Sequence, residues 1–187
     1  VTTIGRMYYK GLTASQTQET ARSILDKISQ EIQFSGKDAI PVVGSSGSVN
    51  VLCIGNSRYY YAINAPSTST TLSLFTDTAP GCVTVADATN VASAADAAGY
   101  VSISSNGTKL LPDGMRLVAF QVNQVVVGKN DLWTVRVKVV SGADDLIDAT
   151  NPATGAVVSQ AANPAWTTCK GAQLGTQFCA ISDLTTT

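Results

Sequence analysis

Between Ala21 and Ile32 the apolar residues Ala21, Ile24, Leu25, Ile28 and Ile32 recur at steps of three, one, three and four. That rhythm follows the 3.6-residue period and sets all five on one stripe of an α-helix. Gln18, Glu19, Arg22, Asp26, Lys27, Gln30, Glu31 and Gln33 fill the remaining faces. A helix so patterned lies along a core with one face and meets water with the rest. Lys27 with Glu31, and Asp26 with Gln30, stand at i,i+4, where each pair contributes a few tenths of a kcal/mol at most. Gly36 is a natural terminator.

Upstream the pattern rotates but does not stop. Ile4, Met7, Tyr8 and Leu12 also recur at helical spacing, on a face turned by roughly 100° from the later stripe. Two faces imply two partners. Gly5 and Gly11 weaken helix here, by about 1 kcal/mol each against alanine. Two extents are therefore open. A continuous helix from about Thr2 to Phe34 would run some 50 Å at 1.5 Å per residue, and its first turns would project beyond a small head. A shorter helix would begin near Thr13 or Ser15 as N-cap, with a frayed tail before it.

After Gly36 the period changes to two. "VNVLCI", "RYYYAIN", "TLSLF", "CVTVA" and "YVSIS" are short β-branched or aromatic runs between Gly, Pro, Asn and Ser clusters, and they read as strands. Asn106-Gly107 between "YVSIS" and "TKLL" reads as a type I′ hairpin turn, though Asn106-Gly107-Thr108 also fits a glycosylation sequon. In "DLWTVRVKVV" Trp133, Val135, Val137 and Val139 alternate with Thr134, Arg136 and Lys138, giving a strand with one buried and one wet face. "GMRLVAFQVNQVVV" stands across the loop "GKND" as its antiparallel partner, with a change of phase that predicts a bulge. The sheet core is placed at Met115 to Val140. "ATNVASAADAAG" reads as loop with one or two helical turns, and "DATNPATGAVVSQAANPAW" as loop broken at two Asn-Pro steps. The fold class is α+β, a long N-terminal helix packed on an antiparallel β-sheet with long loops. Residues 1–36 form the helix and 37–187 a β-rich head, together one domain.

With 187 residues, 44% of them hydrophobic, the chain can bury a real core. Lys plus Arg (12) nearly balance Asp plus Glu (13), which leaves no basic surface for a phosphate backbone, so no nucleic-acid partner is expected. The chain has no histidine. That removes the commonest general base and the usual nitrogen ligand for zinc, copper or iron. We expect no enzymatic activity, no catalytic residue, no metal and no cofactor. The acidic cluster Asp144, Asp145 and Asp148 in "SGADDLIDAT" lacks the spacing and the glycine of a calcium loop and reads as a solvated turn after a strand. No spacing predicts the converging carboxylates of a hydrolase. No run of 18 apolar residues occurs, so the chain as written is expected to be soluble.

Cys53, Cys82, Cys169 and Cys179 include no C-x-x-C pair. Two disulfides are the simpler account, and loop-closure entropy with proximity favours Cys53 with Cys82 and Cys169 with Cys179. Bridges would place the chain in an oxidising compartment. Four buried free thiols are the alternative.

The helix ending "RSILDKISQEIQFSG" and the C-terminal run "WTTCKGAQLGTQFCAISDLTTT", with two cysteines around "QFCA", resemble type IV pilin-like proteins, and in particular PilW- and PulJ-type minor pilins or pseudopilins. The resemblance implies a prepilin whose apolar N-terminal segment, ahead of Val1, is cleaved and methylated and anchors it in the inner membrane before assembly. It implies that Ile4, Met7, Tyr8 and Leu12 pack against other minor pilins and the major pilin. Ala21, Ile24, Leu25, Ile28 and Ile32, with Trp133, Val135, Val137 and Val139, then join helix to sheet. The implied function is structural: priming or capping a type IV pilus or a type II secretion-like fibre, at the periplasm and bacterial cell surface, with a host or surface ligand as a further partner. A second reading is a secreted or surface adhesin or carbohydrate-binding module. Its stacking residues would come from Tyr59, Tyr60, Tyr61, Trp133 or Trp166, and alternation expects at least one of the three tyrosines to be exposed.

Overall fold

The computed structural model describes residues 2–35, 41–78, 82–127, 130–151, 153–154, 156, 159, 163–171, 176 and 178–187, and side chains from residue 7 onward, those of 125–131 excepted. Gly36, the expected terminator, lies outside the described residues. Five strands, β1 (Val42–Ser46), β2 (Val49–Ile54), β3 (Ser57–Tyr61), β4 (Leu74–Thr78) and β5 (Thr108–Lys109), form one antiparallel sheet in chain order. Between β4 and β5 runs a helix, α2 (Val85–Asn106). A second sheet pairs β6 (Met115–Val127) and β10 (Ala180–Thr186) on either side of β7 (Asn130–Ser141), again antiparallel. The β6–β7 register shifts between Leu117 and Ala119, which is the bulge that the change of phase predicts. Two short strands, β8 (Ile147–Ala149) and β9 (Thr167–Cys169), pair separately.

The N-terminal helix α1 spans Thr2–Phe34 without interruption. It takes the longer of the two extents, about 50 Å. Its second half lies on β7 and β10, burying Ala21, Ile24, Leu25 and Ile28 and part of Ile32. These side chains share one core with Leu52, Ile54, Tyr59, Tyr61 and Leu74 of the first sheet and with Val135, Val137 and Val139 of β7. The Tyr59 hydroxyl donates to the Glu31 carboxylate at 2.5 Å, fastening the helix end to the first sheet.

The first sheet is covered on both faces, and its alternation sorts the side chains between two cores. Leu52, Ile54, Tyr59, Tyr61 and Leu74 face the α1 side. Val49, Val51, Cys53, Tyr60 and Phe75 face α2, which presents Ala88, Ala92, Ala95 and Ile103. Alanines at this spacing let a helix approach closely. A Cβ on Gly44 of β1 would come within 2.4 Å of the Ala88 carbonyl carbon and the Thr89 nitrogen. A third cluster, Val118, Val140, Ile147, Cys169 and Cys179, sits on the opposite face of the second sheet. Disulfides join Cys53 to Cys82 and Cys169 to Cys179.

Several sequence expectations are corrected. "YVSIS" is not a strand, "ATNVASAADAAG" is not a loop, and "CVTVA" leads into the same helix: all three contribute to or flank α2. Thr84 caps it, its hydroxyl accepting from the Asp87 N–H at 3.1 Å, a pairing that fixes a helix start whatever the β-branched content beyond it. Gly99, at φ 73° and ψ 177°, kinks it. Asn106-Gly107 is consequently a helix end: Gly107 has φ −125°, so neither hairpin nor type I′ turn forms there. "TLSLF" enters the sheet only at Leu74. Trp133 is half-buried and stands outside the core cluster that holds Val135, Val137 and Val139. The core is not confined to Met115–Val140, because the first sheet supplies two faces to it. Nor is the second face of β7 fully wet: Lys138 is buried, and its ammonium donates to the Ala165 carbonyl at 2.7 Å.

Candidate functional site

Helix α1 divides into halves of opposite character. From Thr17 to Ile28 every turn buries at least one residue, and before Thr17 every residue whose side chain is described is exposed except the half-buried Thr13. Met7 (68% exposed), Tyr8 (69%) and Leu12 (40%) stand clear of the head. Ile4 lies among the residues whose side chains are not described. Tyr9, not singled out in the sequence, belongs to the same surface at 57% exposure. Its ring meets Tyr8 edge-on, with centroids 5.8 Å apart. Adjacent tyrosines in a helix with no sheet beside them were the signal that could have found it. Two threonine hydroxyls of this half turn back into the helix, Thr13 donating to the Tyr9 carbonyl (3.0 Å) and Thr17 to the Thr13 carbonyl (2.8 Å). The large side chains left outward are apolar and aromatic, with Lys10 and Gln16 among them. Four large apolar side chains exposed on one projecting segment make a surface of the kind that binds another protein.

The head disperses the groups that sequence reasoning considered for chemistry or stacking. Asp144 pairs with Arg116, the Asp145 carbonyl accepts from Lys170 at 2.6 Å, and the Asp148 carboxylate accepts from the Ala149 N–H at 3.1 Å. Among the described residues no three His, Cys, Asp or Glu side chains gather as metal ligands. Tyr59, Tyr60 and Tyr61 are all buried, because the sheet they lie on has a core on each face. The stacking surface expected on that triplet is therefore absent, and Trp166 is half-buried in a 3-10 turn, Pro164–Trp166.

Burial also governs the protonation of these groups. Desolvation, then the hydrogen bond to Glu31, pushes the Tyr59 phenol far up. Desolvation alone pushes Tyr61 up to about 12, and Tyr60 rises chiefly from the same cause. Burial lowers Lys138, whereas the hydrogen bond from Arg136 lowers Asp183.

Two larger cavities open on the head. One, of about 600 Å³, lies between the ends of β2 and β3 and the kinked part of α2, bordered by Asn50, Thr70, Asp96 and Tyr100. The other, of about 670 Å³, lies where the segment Pro66–Ser69 crosses the start of β6. Among the described residues no helix is long and apolar enough to cross a membrane. Comparison with protein families, with curated proteins and with solved structures finds no match to this chain.

Proposed function

We propose that the chain is a structural subunit of a pilin-like fibre, of the PilW/PulJ minor-pilin or pseudopilin kind. It primes or caps the assembly through the first half of α1. The observation that carries the reading is the division of one unbroken 33-residue helix. One half is built into the head, and the other offers Met7, Tyr8, Tyr9 and Leu12 to a partner. A helix that exposes four large apolar side chains over about one and a half turns loses the free energy of their burial, about 1.5 to 3 kcal/mol each, unless another surface covers them. Neighbouring helices of a fibre would cover them. The two disulfides are compatible with assembly outside the cytoplasm.

The test has two parts. In the native protein recovered from membranes and sheared surface fibres, N-terminal mass spectrometry should find an apolar segment of about twenty residues ahead of Val1. In the same cells, Tyr8→Asp and Leu12→Asp should leave the head's melting temperature within about 2 °C of wild type, on the small effects of exposed substitutions, and abolish incorporation into fibres. Normal incorporation of both variants would remove the helix from the assembly. Loss of the head's fold on Leu12→Asp would contradict the division of α1.

A further inference from the structure

We propose that the cavity beside Arg116 is a receptor for a carboxylate carried on a hydroxyl-rich ligand, of the chemistry of a sugar acid. Arg116 opens β6 and is 3% exposed, yet its ion-pair partner Asp144 has a side chain 78% exposed. Arg116 and Asp144 both line the cavity, the arginine buried and its counter-charge on the solvent side. The pairing is incomplete. Arg116 donates through Nη2 to Asp144 and, at 3.4 Å, to the Gly142 carbonyl, while its Nε is buried with no hydrogen-bond partner among the described residues.

Two other arginines of the chain show what a complete pair looks like. Arg58 grips Asp77 through Nε at 2.9 Å and Nη2 at 2.6 Å, and Arg136 grips Asp183 through Nε at 2.9 Å and Nη2 at 2.7 Å. That fork is the strong mode for a carboxylate. At Arg116 the same two donors are half used, and a buried unmet donor is a standing cost that a ligand can relieve. A carboxylate that takes the place of Asp144 on Nη2 would meet both once the guanidinium turns toward the cavity, since Nε is sealed from solvent as it stands, and Asp144 need only turn into the solvent it already faces. Only the Asp144 side of the pair is exposed, and the incoming carboxylate restores the counter-charge that Asp144 takes away, so the buried guanidinium stays paired throughout the exchange.

The cavity is built before any ligand arrives. The Ser67 N–H donates to the Met115 carbonyl at 2.7 Å, the Gly114 N–H to the Ser67 carbonyl at 3.0 Å, and the Gly142 N–H to the Gly114 carbonyl at 3.2 Å. Gly114, at φ 80°, holds a turn that side-chain-bearing residues rarely adopt. Fixed walls spare a ligand the ordering cost. The lining carries the hydroxyls of Thr68, Ser69 and Ser141, whereas that of Ser67 is buried and donates to the Leu111 carbonyl at 3.0 Å; such a rim suits a polyol and gives a hydrocarbon acid nothing to bond. Helix α1 contributes nothing to this cavity, so the inference stands apart from the fibre reading.

The full chain, ¹⁵N-labelled, would be titrated with sodium acetate and then sodium glucuronate, following the Arg116 Nε–Hε resonance by NMR. Both should shift it saturably, glucuronate at lower concentration, and acetamide should not. Asp144→Ala should tighten acetate binding about two- to fivefold, because the native carboxylate no longer competes for Nη2. Arg116→Gln should abolish it, and should that variant not fold, wild type and Asp144→Ala decide alone. No saturable shift in either protein overturns the site. Equal shifts from acetate and acetamide overturn the charge argument. Tighter binding of an acetylated Ala-Thr-Thr peptide with a free terminus than of glucuronate overturns the sugar-acid assignment.

Discussion

Tyr59, Tyr60 and Tyr61 show how far three consecutive residues can differ from their pattern. Alternation alone divides them between two faces, and it does so here: Tyr59 and Tyr61 enter one core and Tyr60 the other. What alternation cannot say is that neither face is wet. The consequence is measurable at high pH. The folded phenols keep their protons to higher pH than the unfolded ones, so their contribution is complete below about pH 10, the free tyrosine value. It is lost as the pH rises from there towards about 12, where Tyr61 ionises in the folded chain. We expect alkaline unfolding in that window, with the phenolate absorbance of the triplet rising together with loss of ellipticity. Tyr61→Phe should move the midpoint upward, since one fewer phenol then ionises on unfolding. An unmoved midpoint would mean that the Tyr61 hydroxyl already reaches water.

Among the elements, α2 is the one the sequence concealed. Its second half holds "YVSIS", which alternates β-branched and polar residues as a strand does, and intrinsic propensity gives it no helical bias. The signs of helix were a capping threonine at Thr84 and the alanines Ala88, Ala92 and Ala95 at helical steps, a stripe too small to resemble an apolar face. That stripe has meaning only against a partner with an equally small residue. Gly44 is that partner, with the Ala88 and Thr89 backbone where its side chain would be. Gly44→Ala should force β1 and α2 apart and cost about 1 to 3 kcal/mol by overpacking. It would be read as a fall in urea midpoint without change in slope. A variant as stable as wild type would mean that the seam gives way freely. Helix α1 is the opposite case, since a stripe of large residues announced its buried half directly.

At the scale of the whole molecule, the disulfides fasten what the cores only touch. Cys53–Cys82 closes a loop of 29 residues and ties the approach to α2 to the end of β2. Cys169–Cys179 closes one of 10 and ties β9 to the approach to β10. Restriction of the unfolded chain grows with loop length, giving about 3.6 kcal/mol for the first and about 2.7 kcal/mol for the second on the chain-entropy account. Cys169→Ser should lower the melting temperature under oxidising conditions and not under reducing ones, and Cys53→Ser should lower it further. Identical melting of wild type in both redox states would remove both staples from the account.

The sequence by itself determined the elements whose signal is local: the helical stripe from Ala21 to Ile32, the alternation from Val135 to Val139, and the change of phase that becomes the bulge in β6. Side-chain period and hydrophobicity act within one segment and need no knowledge of a neighbour. It also separated the early apolar face of α1 from the later one. Only the tertiary structure decided what depends on two segments at once. Whether Tyr60 is wet, whether Trp133 joins the core, whether "YVSIS" is strand or helix, and where Arg116 meets Asp144 are all settled by what packs opposite. Those contacts join residues far apart in the chain, and burial, not local preference, fixes their energies.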